Sequence, residues 1–421
     1  MDDTSFFDVI SGSAPRSWVV KRPHGGPWIG VRRRGERLPG VGWKLHVSAT
    51  PLSAGDVLAR ALPILLEAGA AFKVAASPAV VAALNEGEGG ISQIGKFLTV
   101  YPRDEEQAVE LAAALDEGTR GLRGPRVETD RELRPGSLVH YRYAAFTGGP
   151  QDPEPSAPTS DPFVSAGIAE VQEHRPIAGR YVLVSTLHRS AGGSVHLAAD
   201  MESGKACVLK RAGRDARTGP DGRDARDHLR HEASVLERLA PDPRFPAVRD
   251  LVEEAGDLYL VMEHLIGRTL GSEVTGPCGT ERTVDRGRQL ASALSAVHGA
   301  GLVYRDLDPA NVVVGEDGVV RLIDFELACD IGSTGEAAGT PGYCSPQQIA
   351  GAPATVADDV YGLGAVLDFL ATGADPGAPG TRALEHELER VIARALDENP
   401  DARYSSMEEL DSALSELEGS S

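Results

Sequence analysis

The sequence predicts an α+β chain of two domains, and three observations predict it. Residues 148–162, GGPQDPEPSAPTSDP, hold five prolines with Gly, Ser and Asp, a composition that supports neither a helix nor a central strand, so the chain divides there. Before that stretch, extended apolar runs (Gly42 to Ala49, Ala71 to Ala75, Phe97 to Tyr101, Leu138 to Phe146) alternate with helical stretches (Leu52 to Glu67, Asp104 to Asp116), giving an α+β domain over residues 1–147. After it, strands from Arg180 to Arg211 precede one helix and further strands to Glu263, and helices dominate from there. Residues 175–421 therefore read as a small β-rich lobe followed by a larger helical lobe, behind a Pro-rich linker at 148–174.

Composition bounds the function. With 421 residues and 41% apolar content the chain can build substantial cores. A net charge of −20 and a pI near 5.0 argue against nucleic acid, whose binding rests on Lys and Arg neutralising phosphates. The start, MDDTSFFDVI, is acidic where a secretory signal is positive, and no apolar run is long enough to span a bilayer. The expectation is a cytoplasmic protein with no membrane partner. Cys207, Cys278, Cys329 and Cys344 are far apart and form no CxxC pair, so neither a disulfide framework nor a zinc site is indicated.

Of 42 basic residues only six are lysine: Lys21, Lys44, Lys73, Lys96, Lys205 and Lys210. Where arginine has replaced interchangeable lysines, the survivors point to sites that need a compact or titratable amine.

The second half carries a series of motifs in order: VLK ending at Lys210, HEASVLERL with Glu232, YRDLDPAN with Asp306 and Asn311, IDFE with Asp324, GTPGYCSPQ, and DVYGLG with Asp359. On these residues the chain resembles the protein kinase family over residues 175 to 418. The resemblance implies that Lys210 and Glu232 pair to hold the α and β phosphates of ATP, with Gly192 and Gly193 remaining from the phosphate-covering glycine loop. It implies that Asp306 orients the incoming hydroxyl and takes its proton, and that Asn311 and Asp324 bind Mg²⁺. Tyr304 replaces the usual histidine, Asp308 the catalytic-loop lysine, Glu326 the glycine after Asp324 and Phe325, and Gln347 the usual glutamate. Asp359 and Arg403 read as architectural.

In the first half, GWKLHVSAT reads as a strand, and residues two apart in a strand share a face, so Lys44 and His46 stand side by side. Elimination of phosphate from phosphoserine needs a base for the proton on Cα and an acid for the departing oxygen, and Lys44 and His46 fit those roles. A lysine that is neutral near pH 7 needs burial and nearby cations. Lys73 in AFKVAA, Lys96 in GKFLTVYP, Arg142 in HYRYAAF and, more weakly, Arg131 in ETDREL are the candidates to supply those charges and hold the phosphate, with Asp130 placed to orient one of them. GWKLHVSAT, AFKVA, GKFLTVYP and the tyrosine-flanked arginine resemble, in this order, the N-terminal lyase domains of class III and class IV lanthipeptide synthetases over residues 38 to 147. Those domains resemble bacterial phosphothreonine lyases, in which a lysine removes the α proton and a histidine protonates the leaving group. Residues 86–93, EGEGGISQ, depart most from the pattern, where an additional basic residue is usual.

The fold expected is thus a phosphothreonine-lyase-like α+β domain followed by a bilobal protein-kinase-like domain. The function expected is a bifunctional peptide dehydratase that phosphorylates Ser or Thr of a precursor peptide bearing a leader segment, using ATP and Mg²⁺, and eliminates the phosphate to dehydroalanine or dehydrobutyrine. Thioether closure would fall to a separate cyclase or occur spontaneously, because the sequence ends after the last kinase helix. A naturally cyclase-free chain would resemble the short lyase-kinase enzymes of lipolanthine-type pathways, beside a flavin-dependent cysteine decarboxylase. The rivals are a Ser/Thr signalling kinase with a non-catalytic N-terminal module, and a binding scaffold without ATP turnover.

Overall fold

The computed structural model describes residues 6–23, 26–146, 155–170, 175–335, 337–376 and 385–418. They form two compact units, one of residues up to 205 with 209–227 and 252–259, the other of 206–208, 228–251 and 260 onward.

The N-terminal domain runs α1 (Phe6–Ser13), β1 (Trp18–Lys21), β2 (Trp28–Arg33), β3 (Val41–Val47), α2 (Ala54–Ala68), β4 (Ala71–Ala75), α3 (Pro78–Asn85), β5 (Leu98–Tyr101), α4 (Glu105–Thr119), β6 (Arg131–Glu132) and β7 (Val139–Ala145). The four strand runs and two helices anticipated from apolar patterning are all present as β3, β4, β5, β7, α2 and α4. Short α1, β1, β2, α3 and β6 lack a long enough apolar period to announce themselves. The strands join in one antiparallel sheet of order β1-β2-β4-β5-β3-β7-β6. Trp43, Leu45 and Val47 enter a core shared with Val57, Leu58 and Leu65 of α2 and Leu111 and Leu115 of α4. Alternation along β3 then puts Lys44 and His46 on the other face. Helix starts follow capping chemistry: the Asp104 carboxylate accepts from the Gln107 amide at 2.8 Å, and Ser77 accepts from Val80.

The Pro-rich stretch is not uniformly loose. Asp161 caps α5 (Pro162–Ser165), and Phe163 is fully buried with its ring 5.3 Å from Trp43 and 4.1 Å from Tyr141. The Tyr141 hydroxyl donates to Asp161 at 2.8 Å. This part of the expected linker is built into the first domain's core, while residues 147–154 and 171–174 lie outside the described residues.

The second half continues with β8 (Tyr181–Arg189), β9 (Gly193–Asp200), β10 (Ala206–Ala212), α6 (Ala225–Leu239), β11 (Val248–Glu254) and β12 (Asp257–Glu263), whose strands take the order β11-β12-β10-β9-β8. The helical part follows: β13 (Gly267–Thr269), α7 (Leu270–Glu273), α8 (Thr280–Gly299), β14 (Leu302–Val303), β15 (Val312–Gly315), β16 (Val320–Leu322), β17 (Cys329–Asp330), α9 (Pro346–Ile349), α10 (Val356–Thr372), α11 (His386–Ala395) and α12 (Met407–Glu418). Among the described residues no helix is long and apolar enough to cross a membrane.

The segment that carries Asp130 is pinned by charge on both sides. Arg123 Nε donates to Asp215 at 2.8 Å, Arg214 donates to Glu132 at 2.8 Å, and Arg211 lies 3.0 Å from Glu128. Glu132 and Asp215 are buried, so these pairs fix the segment more firmly than exposed pairs would.

Candidate active site

The polar face of the N-terminal sheet is assembled by strand register. Lys73 on β4 faces Thr99 on β5, Thr99 faces His46 on β3, and His46 faces His140 on β7. One step along, Lys44 faces Arg142. Opposed residues of antiparallel strands share a face, so Lys44, His46, Lys73 and Arg142 gather on one side of the sheet although up to 98 residues separate them. Lys96, just before β5, adds a buried amine.

Asp130 organises the cluster. Its carboxylate accepts from His46 Nδ1 in a short hydrogen bond, lies 3.5 Å from Lys96 Nζ and 3.8 Å from Arg142 Nε, and accepts from the Thr129 hydroxyl at 2.7 Å. Burial works to raise its pKa, but His46, Lys96 and Thr129 more than offset this and hold the carboxyl well below the usual range. With Nδ1 donating to Asp130, the imidazole is left with Nε2 for other work. Burial, with smaller contributions from Lys96 and Arg142, lowers the His46 pKa to about 4 against the opposing pull of Asp130. Burial first, and then repulsion from Lys44, Lys96 and Arg142, lower that of Lys73 to about 8. The Lys73 amine rests 4.0 Å from the Trp28 ring centroid, and that of Lys44 lies 5.8 Å from Tyr101.

The structure brings five of the sequence candidates together: Lys44, His46, Lys73, Lys96 and Arg142. Arg131 requires correction as a phosphate ligand. It pairs with Tyr141, which points into the opposite, core-facing side, and its guanidinium is 2.7 Å from Asp161. Residues 86–93 supply no extra cation; Glu86 instead lies 3.5 Å from Arg217. Sequence reasoning missed Thr99, Tyr101 and Trp28. Thr99 and Tyr101 were visible as alternate residues of FLTVY, but only the register shows which face they take. His140 is structural: fully buried, its Nε2 accepts from the Val127 amide at 3.3 Å, with Nδ1 3.2 Å from the Leu138 carbonyl oxygen.

In the second half, Asp306 and Asn311 flank a tight loop in which Asn311 Nδ2 donates to the Asp306 carboxylate at 2.8 Å and to its carbonyl at 3.0 Å. Burial and then Asp324, Asp308 and Glu326 push the Asp306 pKa up to about 7. That concentration of carboxylates suits a divalent cation, and Asp324 and Asn311 offer it hard oxygen donors. The replacements have structural outcomes. Tyr304 occupies the histidine's place with its hydroxyl donating to the Ile323 carbonyl at 2.5 Å, just before Asp324, and its amide donating to Asp359 at 2.8 Å. Asp308 accepts from Thr340 at 2.7 Å and from the Ala310 amide at 2.5 Å, so it stiffens the loop instead of adding a cation. Glu326 stands where the left-handed turn is not needed, because Asp324 carries the positive φ of 63°. Gln347 accepts from Arg403 at 2.7 Å. The Glu232 carboxylate accepts from the Phe325 amide at 3.3 Å. A Cβ on Gly193 would stand 1.7 Å from the Arg211 carbonyl oxygen, so close backbone approach requires glycine there. Lys210 lies on β10, two residues before its end.

Comparison with known proteins matches residues 6–160 to the family described as RamC, N-terminal domain, and residues 181–417 to the protein kinase domain. The chain is 31% identical over 400 residues to the Probable SapB synthase of Streptomyces coelicolor, a match covering 85% of this chain and 42% of that one. It is 36% identical over 267 residues to the serine/threonine-protein kinase PkaA of the same organism, covering 55% of this chain and 49% of that one. To serine/threonine-protein kinase PknB of Mycolicibacterium smegmatis it is 30% identical over 268 residues, covering 56% and 42%. The chain spans less than half the length of each of these relatives.

Proposed function

We propose, for a chain that belongs to the protein kinase family and carries a RamC N-terminal domain ahead of its kinase domain, that the two domains act in turn on Ser or Thr side chains of a precursor peptide. The domain order is that of a class III lanthipeptide synthetase. The observation that carries the second step is the gathering of Lys44, His46, Lys73, Lys96 and Arg142 on one face of the sheet, with His46, Lys96 and Arg142 set against the Asp130 carboxylate.

In the first step Asp306 orients the peptide hydroxyl and takes its proton as the oxygen attacks the terminal phosphoryl group. ATP supplies that group; Lys210 and Glu232 would hold its phosphates, and Asp324 and Asn311 would hold Mg²⁺. In the second, the phosphorylated side chain meets the cationic face, where Arg142 and Lys96 offset its charge. A neutral amine removes the proton on Cα, the Cα–Cβ double bond forms, the Cβ–O bond breaks, and phosphate leaves with a proton from His46 Nε2. A bound dianion favours the imidazolium, opposing the burial that keeps His46 neutral beforehand.

Lys44, beside His46 on β3, is the amine placed for proton abstraction by strand alternation. One observation favours Lys73 for the same step: its environment lowers its pKa to about 8, so a usable fraction is neutral near pH 7. Lys44 would then bind substrate oxygen.

Mass spectrometry of a candidate peptide incubated with ATP and Mg²⁺ tests the proposal. Water loss is expected; stable phosphate gain would favour a signalling kinase, and an unchanged peptide would leave a scaffold.

A further inference from the structure

We infer that the sheet face beside Lys73 holds a second subsite, for the acidic side chain of a peptide residue close in sequence to the phosphorylated one; this rests on the elimination proposed above. A hollow of about 390 Å³ lies over β1, β2 and β4, with Lys21, Trp28, Gly30, Arg32, Lys73 and Tyr101 among the residues that line it. It continues the catalytic row. Register sets Lys21 opposite Gly30 and Gly30 opposite Lys73, in line with Thr99 and His46. Strands lie about 4.8 Å apart and an extended peptide advances about 3.3 Å per residue, so a residue about two positions from the phosphorylated one reaches from Lys73 to the space above Gly30 and Lys21.

Gly30 is informative because the fold does not require it. Its φ is not positive, and the nearest atom to an added Cβ would be the Lys21 carbonyl oxygen at 3.9 Å. A glycine inside a strand weakens it and marks a place where something approaches the backbone closely. Here any side chain would project into the hollow. The charge identifies the occupant: in a chain of net charge −20, this hollow is lined by Lys21, Arg32 and Lys73 and, among the described residues, by no Asp or Glu. Trp28, Leu38 and Phe146 provide apolar wall for the methylene stem of a glutamate. Lys21 also gains a use here, as one of the six lysines in an arginine-rich chain.

The test uses the full chain and synthetic phosphoserine peptides carrying Glu, Gln or Lys one or two positions from the phosphoserine. Phosphate release gives kcat/KM, and fluorescence anisotropy gives binding. The Glu peptide is expected to exceed Gln by about fivefold in kcat/KM, with Lys lowest, as two partly exposed ion pairs would give. The exposed double variant Lys21→Glu/Arg32→Glu should reverse that order, and Gly30→Leu, with folding checked by circular dichroism, should slow every peptide with a flanking side chain. Equal rates across the peptides, or an unchanged order in the double variant, would overturn the subsite. If no peptide loses phosphate, the elimination reading fails, and the order of binding affinities alone then upholds or overturns the subsite.

Discussion

Burial lowers the pKa of Lys73 to about 8 in the N-terminal domain and raises that of Asp306 to about 7 in the kinase domain, and in each case like-charged neighbours push the same way. Around Lys73 the neighbours are Lys44, Lys96 and Arg142; around Asp306 they are Asp324, Asp308 and Glu326. Two surfaces of opposite sign therefore reach the same result, a group whose pKa is moved toward neutrality. They differ in what each still needs. The carboxylate cluster calls for a cation, whereas the amine cluster calls for an anion such as a phosphorylated side chain.

The sharpest way to break this comparison is to remove one base at a time. Asp306→Asn should cut peptide phosphorylation by about 10²- to 10⁴-fold while leaving elimination from a supplied phosphopeptide untouched. Lys73→Ala and Lys44→Ala should do the reverse, with phosphopeptide accumulating; an elimination rate that survives both would remove the N-terminal site altogether. Between the two, the variant whose residual rate no longer falls on the acidic limb of the pH profile identifies the proton-abstracting amine.

Asp130 comes next, because its carboxylate faces His46, Lys96 and Arg142. Asp130→Asn strands buried positive charge and should destabilise the chain by about 3–5 kcal/mol, read from denaturant unfolding. The sign of its pH dependence follows from its depressed pKa. The stabilisation is fully present above the unfolded value of about 4 and is lost as pH falls through the folded value. A variant as stable as the parent would show that the carboxylate does not balance the cluster.

A moderate effect separates the two domains by pH. Both bases act deprotonated, so with Lys73 as the abstracting amine kcat/KM for elimination should fall about tenfold per pH unit below about 8, and that for phosphorylation below about 7. Phosphopeptide should then be cleared about tenfold more slowly at about pH 7 than at about pH 9, with quantification by chromatography. Raising Mg²⁺ should move the phosphorylation limb to lower pH, since a cation offsets Asp324 and its neighbours, and should leave the elimination limb in place.

The smallest effect tests the correction at Arg131. Its half-exposed pair with Asp161 predicts that Arg131→Ala costs at most about 1 kcal/mol and leaves elimination unchanged. A large loss of elimination would return Arg131 to the phosphate site.

Much of this was legible in the chain itself. The order of VLK, YRDLDPAN and IDFE marked the kinase domain because its catalytic groups sit on short loops with fixed spacing. The pair Lys44 and His46 was legible because alternation along a strand is a local rule. Thr99, Tyr101, Trp28 and the hollow beyond Lys73 were not, since they depend on which strands become neighbours: residues 98–101 of β5 lie next to 41–47 of β3 on one side and next to 71–75 of β4 on the other, and β2 follows beyond β4.

The sequence by itself therefore determined the domain types, the strand pair and the catalytic loop, all of which are set by nearby residues and local backbone geometry. Only the tertiary structure decided that Arg131 turns away, that Asp130 meets His46, Lys96 and Arg142, and that Lys73 shares its face with Lys44 and Arg142. The reason is physical: charge and burial act through space, and the pairing of distant strands fixes which charges share a face.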